Sequence, residues 1–339
     1  PHLRYHNLRY QMMPQIKALS KFDPSTEILI CMGEGTHDAC VQNNYDADGY
    51  PTTIVPETEL RQIFPNYLDA SLKLKSQTYS AAQKVQLQNL YLSKLEGFEP
   101  DIVISFLSPV PFMEELFPNA LILYTEFGIF SRAPLPRTFY FDAFGMFGEN
   151  FMSRYTKELN ALELTPKKSE YVSKLRSDYI NNVFNPYDPF KEYDFKDNGR
   201  FSHTVLLPLQ FSNYFGFDSH TEFASQFDFL TYVMDTIDPT IGVIVTEHST
   251  WERAITEHNV EYLKRRYPNI IIDPVFEQYN NASQFLLQHV DGVISVSSSV
   301  GLQALLWDKP VFALPHVFAV QEHDHARVRG AALGEKGGQ

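Results

Sequence analysis

From Thr204 to Leu314, short apolar runs alternate with amphipathic stretches. That alternation restricts the fold more than any other feature of the chain. The runs are "TVLLPLQ" (Thr204–Gln210), "IGVIVTE", "NIIID", "DGVISVS" and "KPVFALP". Between them lie "HTEFASQFDFLTYVMDTI", "TWERAITEHNVEYLKRRYP", "NASQFLLQHV" and "SVGLQALLWD". In the first of these, Phe223, Phe227, Leu230 and Val233–Met234 recur at helical spacing. Strand-length runs separated by helical patterns give βαβ units and a parallel, doubly wound sheet. Residues 201–316 therefore read as a Rossmann-like domain.

The first half is less regular but also α/β. "EILICM", "DIVISFL", "ALILYTEF" and "RTFYFD" have the look of strands. Ser80–Gly97 is a helix with Leu87, Leu90, Tyr91 and Leu95 on one face and Gly97 at its end. An aromatic-rich insertion runs through Phe139–Tyr155, and helical patterns follow near Met152–Leu164 and Lys168–Val183. The polar stretch "NPYDPFKEYDFKDNGR" sets the expected boundary, with domains at 1–198 and 199–330 and a flexible tail at 331–339. The expected fold is α/β and GT-B-like: two Rossmann-like domains with parallel sheets facing a cleft. Fold alone does not choose among transferases, sugar epimerases and binding proteins of that shape.

Composition narrows the function. The chain has 339 residues, 44% hydrophobic and 14% aromatic, enough for large cores. A net charge of -13 argues against general nucleic-acid binding, which needs a basic surface, but leaves room for a local anion pocket. Two cysteines make no disulfide framework, so a reducing cytoplasm is expected, with Cys31 in the core. No apolar run reaches the roughly 18 residues that span a bilayer. The start, "PHLRYHNLRY", lacks the apolar centre of a signal peptide. Any membrane association is then peripheral, at the inner face, through other segments or partners. A start without Met is compatible with a piece of a larger enzyme.

Chemistry-bearing residues gather at the ends of the apolar runs. "SVSSSVG" places Ser295, Ser297, Ser298, Ser299 and Gly301 between a strand and a helix start. Such a turn offers hydroxyls, unpaired backbone amides and the positive end of a helix dipole to a phosphate. The alternative is a plain serine cap. "VTEHST" puts Glu247 and His248 at another strand end of the same sheet, where ligands of parallel sheets bind. His248 suits a phosphate contact or proton transfer, or else a surface role. Gln210 and Asp218 follow "LPLQ"; Asp218 suits a nucleophile, a base or a helix cap. In the first half, Glu126 stands just past a strand among apolar residues, a setting for acid/base work. Arg132 nearby offers instead an ion pair or an acceptor contact.

"MGEGTHDAC" departs from the dinucleotide fingerprint because Asp38 takes the third glycine position. It reads as a sharp turn, with His37 and Asp38 as acceptor-side candidates, and NAD is not expected. "HVFAVQEHDHARVRG" carries His316, His323, Asp324 and His325, but as a polar surface segment rather than a metal site. No metal or other cofactor is expected.

"DGVISVSSSVGLQALLWDKPVFAL" resembles the donor-binding region of bacterial capsule and lipopolysaccharide glycosyltransferases, most of all the CMP-Kdo-dependent β-Kdo transferases (Kdo is 3-deoxy-D-manno-oct-2-ulosonic acid). "VIVTEH" resembles their strand-end His motif, often K-P-H-P, with Glu247 and Ser249 standing where those enzymes have proline. "VLLPLQ" resembles the strand that opens their second domain. The first half matches only in the order of its elements and in "TEFG".

The resemblance implies a retaining transfer of Kdo from CMP-Kdo to a glycan or lipid-linked glycan of the bacterial surface. In it, Gln210, Glu247, His248, Ser297, Ser298, Ser299 and Gly301 hold CMP, Asp218 is the nucleophile and Glu126 the acid/base. A CMP-sialic acid transferase, a UDP-sugar epimerase-like enzyme and a non-catalytic glycan-binding module are the alternatives. The absence of Lys and Arg from both strand-end loops favours a monophosphate nucleotide over a diphosphate.

Overall fold

The structure is a computed structural model, described over residues 5–106, 111–128, 138–211, 215–248 and 253–314. The chain forms two compact units, one of residues 1–126 and 140–155, the other of 127–139 and 156–339.

The second unit contains a five-stranded sheet. Its strands are β6 (His203–Pro208), β7 (Ile241–Thr246), β8 (Ile270–Ile271), β9 (Gly292–Ser295) and β10 (Val311–Ala313). The order is β10-β9-β6-β7-β8, and every pairing is parallel. The chain runs outward from β6 to β7 and β8, then returns to place β9 on the other side of β6. The direction of winding thus reverses between β6 and β9.

Side-chain alternation divides the apolar residues of these strands between two faces. Val205, Leu207, Val243, Val245 and Ile294 share one cluster with Phe229, Leu230, Val233 and Met234 of the helix Gln226–Thr236 and Leu263 of the helix Glu257–Arg266. Leu206, Ile244 and Val293 share the other with Phe285, Leu286 and Ala304, from the helices Ala282–Leu286 and Ser299–Leu306. Burial of each of the larger of these side chains, Val, Leu, Ile, Met or Phe, contributes about 1.5–3 kcal/mol.

That second face also takes in Phe184, Phe190 and Phe195. The expected boundary at 198/199 therefore falls inside the second unit. The stretch before it reads as a linker by composition, but its aromatic residues cover a sheet face. Asp188 fastens the segment, accepting from the Phe190 amide at 2.9 Å and facing His289 Nε2 at 2.8 Å.

The first unit holds β1 (Ile30–Gly33) paired in parallel with β2 (Thr52–Val55). A three-stranded sheet combines β3 (Ile102–Phe106), β4 (Leu121–Phe127) and β5 (Phe139–Asp142), with β3 and β4 parallel. The helix Ala81–Leu95 begins at a capping box: the Gln83 amide donates to Ser80 Oγ, and the Ser80 amide to Gln83 Oε1. It ends at Glu96 and Gly97, both left-handed, at φ 50° and 87°.

Three expectations for local structure change. "MGEGTHDAC" is not a sharp turn, because β1 runs directly into the helix Glu34–Gln42 with Gly33 at φ -74°. Cys31 is exposed, since alternation along β1 turns Ile30 and Met32 inward instead; Cys40 is the buried thiol. Among the described residues of "TWERAITEHNVEYLKRRYP", the expected helix covers Glu257–Arg266. No helix among the described residues is long and apolar enough to cross a membrane.

Candidate functional site at the carboxyl ends of β6, β7 and β9

Register aligns the strand ends. Pro208 pairs with Thr246, and Leu206 with Val293. Carrying the second register forward two residues sets Pro208 beside Ser295. The segments after Pro208, Thr246 and Ser295 therefore leave the sheet together, at the point where winding reverses. Open parallel sheets bind ligands at such a point, because the flanking helices diverge there.

The segment after β6 begins with Leu209, whose amide donates to the Thr246 carbonyl at 2.8 Å. Gln210 follows, its amide held by Gln226 Oε1 at 3.0 Å. Phe211 lies edge-on to His248, ring centroids 5.4 Å apart. Two of the three segments are thereby in direct contact, and His248 is half-buried beside an apolar ring. Asp218 closes the short helix Phe215–Asp218. Its Oδ2 is buried and has no hydrogen-bond partner among the described residues. Burial pushes its carboxyl pKa above the ordinary aspartate range.

After β7, Glu247 turns to its own loop. Its Oε1 accepts from the amides of Ala254 and Ile255 at 2.7 and 3.0 Å. Burial raises its pKa, and those two amides partly oppose the rise. Glu247 thus spends an oxygen on backbone. Thr246 Oγ1 lies 2.8 Å from Ser283 Oγ, tying the end of β7 to the helix Ala282–Leu286.

After β9, the serines divide by task. Ser295 is 4% exposed, and its Oγ accepts from the Ser298 amide at 3.0 Å. Ser298 caps the helix Ser299–Leu306, its Oγ accepting from the Val300 amide at 3.3 Å. Ser299 is exposed at the first helical position. Ser297 Oγ is buried without a hydrogen-bond partner among the described residues. Gly301 is buried; an added Cβ would stand 3.3 Å from Val311 Cγ1, so the glycine serves close packing of helix on β10.

The first-unit candidates are placed separately. Glu126 is half-buried on β4, close enough to Tyr140 that its charge adds to the burial that raises the phenol's pKa. His37 and Asp38 lie on the helix Glu34–Gln42, with His37 Nδ1 3.6 Å from Asp38 Oδ1. Arg132, Ser249, Thr250, His316, His323, Asp324 and His325 lie outside the described residues. Among the described residues, no three His, Cys, Asp or Glu are grouped to hold a metal ion.

The fold and the strand-end rim define an α/β protein whose second unit is a doubly wound parallel sheet with polar groups at its switch point. Residues 186–319, less than half the chain, match the family model described as capsule polysaccharide biosynthesis protein. That span contains β6 to β10 and every rim segment above. No curated protein matches the sequence.

Solved structures with similarity include two from Thermosulfurimonas dismutans, the KpsC β-Kdo 2,7 transferase and the KpsC β-Kdo 2,4 transferase. The first has TM-score 0.42 at 15% identity, covering 74% of this chain and 76% of its own. The second has TM-score 0.40 at 15% identity, covering 65% and 70%. The glycotransferase of kitacinnamycin has TM-score 0.35 at 10% identity, covering 97% and 80%. All three scores lie below 0.5 and establish no shared fold. The chain is thus similar, over its second unit's sheet, to capsule polysaccharide biosynthesis proteins.

Proposed function

We propose that the protein is a glycosyltransferase that moves Kdo from CMP-Kdo to a surface polysaccharide acceptor, with retention. The observation that carries the proposal is the rim itself. An edge-on Phe211–His248 pair, a buried Ser297 hydroxyl and an Asp218 carboxyl with one buried oxygen follow three adjacent parallel strands. The family match over residues 186–319 supports the same reading.

In this reading the single phosphate of CMP lies at the start of the helix Ser299–Leu306, near Ser297 and His248. Helix-end amides and a histidine stabilise the charge that develops as CMP departs. Asp218 attacks the anomeric carbon. The bond from that carbon to the phosphate oxygen breaks, and its electron pair leaves with CMP. The acceptor hydroxyl then attacks the same carbon, expels the Asp218 carboxylate and gives its proton to a base, the role assigned to Glu126. Two displacements at one centre retain configuration. Gln210, its amide already held by Gln226, approaches the donor through its side chain, while Glu247 and Ser298 shape the loops and Gly301 seats the helix on β10. The acceptor is assigned to the first unit, with His37 and Asp38 as contacts, and the GT-B arrangement is part of the same proposal. A role without a metal follows from relying on helix-end amides for the leaving phosphate.

The test is incubation with CMP-Kdo and a Kdo-terminated oligosaccharide acceptor. Release of CMP together with an acceptor lengthened by one Kdo is expected from the wild type and absent from Asp218→Asn. CMP-sialic acid as the better donor would replace Kdo in the proposal, and inertness towards both donors would remove it.

A further inference from the structure

Gln226 is the first residue of the helix Gln226–Thr236 and is 1% exposed. The end of that helix is capped without it, because Ser225 Oγ accepts from the Asp228 amide at 3.1 Å. Gln226 Oε1 instead accepts from the Gln210 amide at 3.0 Å. A backbone amide only donates, so the atom facing it must be the carbonyl oxygen. The orientation of the whole carboxamide follows. Nε2 is thereby fixed one carboxamide width from Gln210, the second residue beyond β6. Nε2 is buried and finds no acceptor among the described residues.

A tie to Gln210 alone needs only the oxygen. Burying an oriented NH2 group without an acceptor is costly, and a ligand that supplies one removes the cost. Its place beside the β6 segment, at the switch point, puts the group where a ligand would lie.

We propose that Gln226 reads the bound donor, with Nε2 donating to an anionic oxygen of it. That oxygen belongs either to the nucleotide phosphate or to the carboxylate of the sugar acid. The inference rests on the nucleotide-sugar reading above and adds a residue to the same rim.

The experiment titrates CMP, UDP, GDP, free Kdo and neutral cytidine into the wild type, Gln226→Glu and Gln226→Met. Gln226→Glu keeps an acceptor for the Gln210 amide but replaces the donor with a second oxygen. Gln226→Met fills the volume with neither. Affinity for the tightest anionic probe should fall by about tenfold or more in both variants, with cytidine little changed. Loss of CMP affinity locates the contact at phosphate; loss of Kdo affinity locates it at the carboxylate.

In Gln226→Glu, affinity relative to wild type should recover as pH falls, because a protonated carboxyl donates again. A merely structural residue would show no such recovery. Wild-type affinity in both variants overturns the inference and leaves the CMP reading intact. If UDP or GDP is the tight probe and is lost in the variants, the inference stands and the CMP reading fails. If no anionic probe binds the wild type, or neither variant folds, the inference is overturned.

Discussion

The amide of Ser298 donates to the side chain of buried Ser295 at 3.0 Å, and Ser298 then caps the following helix with its own hydroxyl. Two of the four serines in "SVSSS" are thus engaged in building the turn. Ser298→Ala should cost about 1 kcal/mol of stability, the usual worth of an N-cap. Ser297→Ala should leave the urea midpoint nearly unchanged and weaken CMP binding. Equilibrium unfolding and calorimetry on the two variants check the division of labour.

Asp218 carries a raised pKa because burial disfavours its charge. A carboxyl raised in the folded state adds stability that is fully present below its unfolded pKa. That contribution is lost as pH rises through the folded value. Asp218→Asn should therefore raise the melting temperature at neutral pH. The gain should vanish once pH falls below the unfolded aspartate pKa of about 3.9. Transfer activity should disappear in the same variant, since the proposed nucleophile is gone. Melting curves across pH, read beside the CMP-Kdo assay, test both parts.

Glu247 holds two amides with one oxygen. Glu247→Ala should cost about 1–3 kcal/mol, because both donors lose their acceptor. Hydrogen exchange at Ala254 and Ile255 should accelerate first. Glu247→Gln, which keeps an oxygen, should recover most of the loss.

Gly242 on β7 has no room for a side chain. An added Cβ would lie 2.8 Å from Phe201 Cδ2 and 3.1 Å from Ile271 Cδ1. Gly242→Ala should destabilise by about 1–3 kcal/mol through overpacking, measured by urea unfolding. Shrinking the ring by Phe201→Leu should relieve part of that cost in the double variant.

The parallel sheet was legible because strands buried on both faces read as continuous apolar runs, as "VLLPL" and "IGVIV" do. The strand-end positions of Gln210, Glu247, His248 and Ser295 followed from those runs. Phe190 and Phe195 were not readable as core, because each stands between polar or proline neighbours that suggest a linker. β2 was missed for its length, four residues with only Val55 buried. Gln226 was hidden for another reason. A polar residue at the start of an amphipathic helix reads as solvent-facing, and its burial and hydrogen bond to Gln210 show it turned inward. The sequence also could not divide the serines, since capping and ligand binding draw on the same residue type at the same place.

The proposed function requires a site for a cytidine monophosphate donor at the ends of β6, β7 and β9. Calorimetric titration of CMP, UDP and GDP into the wild type, His248→Ala and Ser297→Ala tests it most directly. CMP alone is expected to bind, and both substitutions are expected to weaken it. Preference for UDP or GDP, or no nucleotide binding, would contradict it.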